Sequence, residues 1–303
     1  MSEPAGLSPM LPVDVVVVTW NSREMVLRCL DRLTPTPVES VVVVDNASTD
    51  GTADAVRAGA PSAQLVPLER QEGLAAAYNR GAARGSAALV LFLNDDVLVD
   101  EEPLRLLVGA LDRHAGAVAA AGRLVDPEDC ATQTEYLPQP FPTFTSLVAM
   151  LAGRRRPPEG LSESETTVVD QPPGACLVVR REAFATIGGW DEDFEFWYED
   201  VDLARRLQAR GDVLYVPSAA VAHVGGHSAR RLSRAQVVSR HYRGALLYAR
   251  KHFRLPGRVG TGLVYAVAGA VRLVLSRDAD SRRSYGRVFR DGVRVAAGRP
   301  PAS

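Results

Sequence analysis

Cysteine is scarce and badly placed for any framework: Cys29, Cys130 and Cys176 are odd in number, far apart and without metal-ligand spacing. This excludes a disulfide scaffold and argues against structural zinc; reduced thiols are expected. Also missing is a Gly-x-Gly-x-x-Gly turn after the first apolar run, and no Gly-Lys-Ser/Thr loop occurs anywhere. The two common backbone cradles for phosphate are therefore excluded, and a bound nucleoside diphosphate would need a cation for its neutralisation. The first residues, "MSEPAGLSPMLP", have neither a charged n-region nor an apolar h-region, so a cytoplasmic protein without a signal peptide is expected. The longest apolar stretch, "GTGLVYAVAGAVRLVL" at 260–275, is interrupted by Arg272 and reads as too short to span a bilayer.

What is present describes a folded chain. A hydrophobic content of 46% with 23% charged residues over 303 residues excludes disorder and allows a sizeable core. The net charge of −1 hides a strong asymmetry, because residues 1–227 carry 18 basic and 33 acidic side chains and residues 228–303 carry 17 and 3. Such a tail either meets an anionic surface, as a peripheral membrane contact at the inner face would, or folds back on the acidic body. Nucleic acid is not an expected partner, since no recognition motif accompanies the charge.

Three short β-branched runs, 13–19, 41–45 and 88–94, read as strands buried on both faces. Helical spacing over 22–33 and 74–84, and a helix opening near Thr52, alternate with them, as βαβ crossovers require. The fold class expected is α/β, a Rossmann-like, mostly parallel sheet flanked by helices over residues 10–230, with a basic helical extension over 231–303. In that extension, 234–253 places Val238, Tyr242, Leu246, Ala249 and Phe253 on one stripe. Residues 126–170 are rich in proline and polar residues and read as a long mobile excursion.

Ligands of such sheets gather at the carboxyl ends of strands. The three runs end in Thr19-Trp20-Asn21, Asp45-Asn46 and Asn94-Asp95-Asp96. Ser48, Thr49 or Asp50 can serve as a helix cap, which leaves Asp45 and Asn46 as candidate ligand groups. Paired carboxylates at the third end can hold Mg²⁺ or Mn²⁺, which in turn would bridge diphosphate oxygens. His223, after the strand-like "DVLYVPSAAVAH", could complete such a site if the fold brings it near Asp96. The segment "GGWDEDFEFWYEDVDLARR", 188–206, crowds Trp190, Phe194, Phe196, Trp197 and Tyr198 among acids. Aromatic faces suit sugar rings, and Glu199 or Asp200 at a helix start could act as a general base.

Five stretches in this order, "VVVTWNS", "VVVVDNASTDGT", "AAAYNRGAARGSAALVLFLNDDV", "PPGACLVVRREAFATIGGWDEDFEFWYEDVDLARRL" and "HVGGHS", resemble the family-2 inverting glycosyltransferases of GT-A fold, in particular the bacterial rhamnosyltransferase-like branch. The resemblance runs from about Asp14 to His223. It implies transfer of a sugar from a nucleoside diphosphate sugar, UDP- or dTDP-linked, to an acceptor hydroxyl, assisted by Mg²⁺ or Mn²⁺. It assigns donor binding to Thr19, Trp20, Asn21, Asp45, Asn46, Asn79, Asn94 and Asp95, and metal binding to Asp96 and His223. Asp200 stands where the family has its catalytic base, with Glu199 beside it, and Trp190, Asp191 and Trp197 would line the acceptor. The acceptor would be a glycan, a glycolipid such as a polyprenyl-diphosphate-linked cell-surface glycan, or a soluble natural product. Two other classes compete: a nucleotidyltransferase, which lacks its basic Gly-rich loop here, and a non-catalytic nucleotide-sugar-binding protein, which would not need Asp200.

Overall fold

The computed structural model describes residues 9–153, 161–162, 164–225 and 233–302. The basic run Arg154–Arg156 and His227, the last histidine of "HVGGHS", lie outside them. The chain divides into two compact units: Met1–Gln139 with Gly160–Trp190 and Leu203–Gly225, and Pro140–Glu159 with Asp191–Asp202 and Gly226–Ser303.

The first unit is a helix-covered sheet. It runs β1 (Leu11–Thr19), α1 (Arg23–Leu33), β2 (Val38–Asp45), α2 (Thr52–Gly59), β3 (Gln64–Pro67), α3 (Leu74–Ala82), β4 (Leu89–Asn94), β5 (Val97–Leu98), α4 (Glu101–Arg113) and β6 (Ala117–Val125). After the helix α5 (Phe144–Leu151), which belongs to the other unit, follow β7 (Thr167–Val168), β8 (Cys176–Arg180), α6 (Arg181–Thr186), the helix α7 (Glu199–Gln208) from Leu203 onward, and β9 (Asp212–His223). The strand order is β3-β2-β1-β4-β8-β6-β9-β5, with β7 on β9. From β3 to β4 every pairing is parallel; β8 is antiparallel to both β4 and β6, while β6 and β9 are again parallel.

The continuous apolar runs follow from burial on both faces. Val13, Val15 and Val17 join Leu89, Leu91, Leu93 and the inner sides of α1 and α4 in one core. Val16, Val18, Val90 and Phe92 join α3, Phe184 and the end of α7 in the other. A strand sandwiched this way has no solvent face on which to place polar side chains, so alternation disappears.

One polar group breaks that pattern. Asp14, buried on β1, accepts from Arg181 Nη2 at 2.6 Å, from the Ala87 amide at 2.7 Å and from Ser40 Oγ at 2.5 Å. Arg181 also donates to the carbonyls of Ala82 and Ala87. The ion pair thus ties β1, β2, the turn before β4 and the start of α6, and every charged atom named has a partner.

The polar stretch after β6 is more ordered than its composition suggests. Val125 bridges Thr132, residues 134–136 form a 3₁₀ turn, Gln139 bridges Gln171, and Thr143 and Ser146 form a capping box that starts α5. Composition alone cannot register such side-chain capping, which offsets the entropy of an isolated turn.

The second unit is helical: α8 (Arg234–His252), α9 (Leu255–Leu275) and α10 (Ala279–Ala296) join α5 and the loop before α7 around Phe194, Tyr198, Tyr242, Tyr248 and Tyr265. The expected α8 stripe is the packed one, with Tyr242, Leu246 and Ala249 buried and Val238 and Phe253 flanking. The expectation for 260–275 is corrected. The helix α9 has 21 residues and an 18-residue window of mean hydropathy 1.4, long and apolar enough by length and composition to cross a membrane. Arg272 does not interrupt it, because helical phase turns its guanidinium over the Tyr242 and Tyr285 rings, at 5.6 and 5.7 Å.

Asp14→Ala leaves the Arg181 guanidinium without its anion. It is expected to cost about 3 kcal/mol of folding free energy, read as a lower urea midpoint with unchanged slope.

Candidate active site

Parallel register brings three strand ends to one edge. Val18 stands beside Asn94 and Thr19 beside Asp45, so the residues that follow β1, β2 and β4 emerge side by side. Thr19 Oγ1 donates to Asp95 Oδ2 at 2.7 Å, both groups being buried, and the Asn46 amide donates to the Thr19 carbonyl at 2.9 Å. Asp45 accepts from the Ser48 amide at 3.2 Å and from its hydroxyl. The carboxylates of Asp45 and Asp95 are held by short loops that the sheet itself anchors.

Other predicted donor residues brace these loops. Asn21, in the left-handed region at φ 48°, accepts from the Thr49 amide at 2.7 Å, and its own amide donates to Ser48 Oγ. Asn46 accepts from the Glu72 amide at 2.9 Å and so fixes the segment before α3. Asn94 accepts from the Tyr78 hydroxyl at 2.9 Å. Trp20 is half-buried at the end of β1. The helix cap expected from Ser48, Thr49 or Asp50 is instead Gly51, while Asp50 accepts from the Thr52 amide at 3.1 Å inside the first turn.

Asn79 and Trp190 take a different place from the expected one. The Asn79 side chain exchanges two hydrogen bonds of 2.9 Å with the Trp190 backbone, and the indole, only 3% exposed, stacks on Tyr78 and meets Phe92 edge-on. Trp190 is therefore packed as a core side chain, with a large apolar surface removed from water.

β5 brings Asp96 against His223. It pairs antiparallel with the end of β9, Val97 opposite His223, and the Val224 amide donates to the Asp96 carbonyl at 2.9 Å. His223 Nε2 lies 3.5 Å from Asp96 Oδ1, and Nδ1 lies 2.7 Å from Gln133 Oε1. Gln133 donates through Nε2 to the His223 carbonyl at 2.7 Å, so its Oε1 accepts and the proton sits on Nδ1. Nε2 then presents its lone pair toward the Asp96 carboxylate, a nitrogen and oxygen donor pair suited to Mn²⁺ or Mg²⁺ with open positions for diphosphate oxygens. Among the described residues no group of three or more His, Cys, Asp or Glu side chains is placed to hold a metal ion.

In the second unit, the loop Asp191–Tyr198 leads into α7. Asp191 and Asp193 both hold Lys251, Glu195 pairs with Arg243 at 3.0 Å, and His252 Nε2 lies 2.7 Å from Asp202 Oδ1. Trp197 and Tyr198 both have left-handed backbone, φ 67° and 72°, a strained conformation for aromatic residues. The α8 residue opposite them is Gly244, where an added Cβ would stand 2.6 Å from the Trp197 carbonyl oxygen. The strain sits immediately before Glu199 and Asp200. Burial first, and then the adjacent Asp200, hold the Glu199 carboxyl well above the usual carboxylate range, and its Oε2 has no hydrogen-bond partner among the described residues. Burial also raises Asp200, whose Oδ1 accepts from the Val201 amide at 2.8 Å.

With this geometry in view, residues 14–188 match the family model "Glycosyl transferase family 2". The chain belongs to that family. It is 30% identical over 276 residues, 81% of the chain and 86% of the relative, to N-acetylglucosaminyl-diphospho-decaprenol L-rhamnosyltransferase of Mycobacterium tuberculosis. It is 29% identical over 69% of its length, and half that of the relative, to validoxylamine A glucosyltransferase of Streptomyces hygroscopicus. These relatives support the rhamnosyltransferase-like branch and a glycosyltransferase enzyme. Among solved structures, a mannosyltransferase from Pyrobaculum calidifontis in complex with GDP-Man and Mn²⁺ superposes with TM-score 0.54 at 20% identity, covering 98% of this chain and 89% of that one. TarS 1-349 of S. aureus in complex with UDP-GlcNAc gives the same score at 14% identity, covering 92% and 90%. At such identities both speak for the GT-A fold.

Gln133, Lys251, His252 and Gly244 were not foreseen from sequence. Gln133 sits in a polar stretch without periodicity, Lys251 and His252 lie 60 and 50 residues from Asp191 and Asp202, and Gly244 faces the Trp197 carbonyl from another helix, so no local spacing marks them.

The raised Glu199 group sets a pH dependence. A carboxyl whose folded pKa exceeds its unfolded value binds more protons in the native state, so stability falls as pH rises from the unfolded pKa through the folded one. Glu199→Gln removes that loss: its Tm is expected to match the parent near pH ~4 and to exceed it increasingly toward pH ~9, by differential scanning calorimetry.

Proposed function

We propose that this glycosyltransferase is metal-dependent and inverting, and moves a sugar from a UDP- or dTDP-linked donor to a hydroxyl of a lipid-linked cell-surface glycan at the inner membrane face. The observation that carries the reading is the convergence of Asp45, the Thr19–Asp95 pair and the Asp96–His223 pair at the strand ends. A nucleoside diphosphate needs such an arrangement: polar groups for base and ribose, and a cation seat for the phosphates. Support for the acceptor comes from the mycobacterial relative, matched over 86% of its length, whose name specifies a diphospho-decaprenol acceptor. The Streptomyces relative, whose name specifies validoxylamine A, favours a natural-product acceptor as the second reading.

In this reading Asp45 and Asn46, with Thr19 and Trp20, hold the pyrimidine and ribose, and Asp95 is oriented by Thr19. Asp96 and His223 would hold Mg²⁺ or Mn²⁺, which when bound supplies positive charge beside the leaving diphosphate. The acceptor oxygen attacks the anomeric carbon as the bond to the diphosphate oxygen breaks, and the acceptor proton passes to Asp200. Burial and the adjacent Asp200 keep the Glu199 carboxyl protonated, while Asp200, also raised by burial, takes the acceptor proton in its ionised form. Asp191 and Trp197 remain the acceptor-side candidates.

Thermal shift with UDP, dTDP and their sugars, in Mn²⁺, Mg²⁺ or a chelator, tests the donor site. Stabilisation that disappears with chelator is expected, and Gln133→Leu is expected to weaken the metal-dependent binding about tenfold by releasing the His223 ring. No nucleotide-dependent shift under any condition overturns the donor assignment. Asp200→Asn is expected to keep donor affinity while lowering kcat by about 10² to 10⁴-fold; full turnover in that variant transfers the base role to Glu199.

A further inference from the structure

The α9–α10 pair is packed inside out for a helix pair in water. On α9, Leu263, Val267, Val271, Val274 and Leu275 are between 52% and 78% exposed. Positions 263, 267, 271 and 274 follow one another at helical spacing, so the side chains form a continuous stripe along 263–275 about 18 Å long. On α10, Phe289 and Val293 are also exposed, at 40% and 47%. The buried side of α9 is instead made of small residues: Gly262, Ala266 and Gly269, with Tyr265. There the helices meet backbone to backbone, since a Cβ added at Gly262 would stand 2.7 Å from the Gly292 carbonyl oxygen and one at Gly269 would stand 2.6 Å from the Phe289 amide nitrogen. Small residues at the contact and large apolar residues outward is the arrangement favoured where the surroundings are lipid.

Charge selects the kind of lipid and the depth. Arg282, Arg283, Arg287 and Arg290 on α10 are exposed, and Arg282 shares the face of Phe289 and Val293 at spacings of seven and eleven residues. Over 228–303 the chain carries 17 basic and 3 acidic residues. A hairpin crossing the bilayer would carry these arginines into hydrocarbon, at about 2.5 to 3.5 kcal/mol each. Lying in the interface, the same hairpin immerses the α9 stripe among acyl chains and sets the arginines at phosphate level.

We propose that the exposed α9–α10 face is a docking surface for the anionic headgroup layer of a membrane, on which the helix pair lies without spanning it. The choice of a bilayer over a second copy of the chain rests on the lipid-linked acceptor reading; the stripe and the charge stand without it.

The test is co-sedimentation of the full chain with vesicles of phosphatidylcholine alone, or of phosphatidylcholine with an equal part of phosphatidylglycerol, at low and high salt, alongside sugar transfer to a polyprenyl-diphosphate-linked acceptor in detergent. Salt-sensitive binding that prefers the phosphatidylglycerol vesicles is expected. Val267→Ser with Val271→Ser and Val274→Ser, all on the exposed stripe, should keep the circular dichroism spectrum and weaken binding at least about tenfold. Arg282→Gln with Arg283→Gln should weaken binding to the anionic vesicles about fivefold per charge. Absence of binding to both vesicle types overturns the surface, and if transfer in detergent persists the acceptor reading survives it. Vesicle binding without transfer to any polyprenyl-linked acceptor supports the surface while overturning that reading. Two further results overturn the proposal: resistance of the membrane-bound chain to alkaline carbonate, which marks a spanning helix, and a parent dimer that the triple serine variant dissolves, which marks a second copy as the occupant.

Discussion

Parallel register is the constraint on which the proposed donor site depends. Because β2, β1 and β4 run in one direction and are paired without a slip from Asp14 onward, Thr19, Asp45 and Asn94 reach the same edge, and the groups after them emerge into a shared rim. The rim is stiff because the strands beneath it are buried on both faces, and because loops are tied to one another through Asn21, Asn46 and Ser48. Several polar residues that look like ligand contacts are thus structural as well. This double use is economical for binding, since a ligand meets groups already ordered and loses less entropy in ordering them.

The proposed metal seat has a different origin. It needs a strand of only two residues, β5, to turn back against β9, and a glutamine from an irregular segment to fix the histidine tautomer. The carboxylate pair at the start of α7 uses a third device. Two aromatic residues with left-handed backbone are held against a glycine of α8, and the neighbouring carboxyls sit where burial raises their proton affinity. Strain and desolvation both oppose folding, and both are concentrated beside the residue proposed to accept a proton.

The loop Asp191–Asp202 clusters with the C-terminal helices and not with the sheet. Lys251 and His252, at the end of α8, hold Asp191, Asp193 and Asp202. The basic extension is therefore part of what shapes the acidic loop, in addition to whatever its outer face meets. Some of the tail's positive charge is consumed internally in this way, while Arg282, Arg283, Arg287 and Arg290 of α10 stay exposed.

The sequence by itself determined the β-branched runs, the alternating helices and the polar strand ends, because hydrophobic period and turn chemistry are local properties of the chain. The family followed from motifs of the same local kind. Tertiary structure alone decided that Trp190 is core and Asn79 its brace, that Gln133 serves His223, and that Arg272 turns inward so that α9 continues. Each of those outcomes depends on which distant residue occupies the facing position, and neither the Asn79–Trp190 pairing nor the phase of a helix against its neighbours is encoded within any short window of sequence.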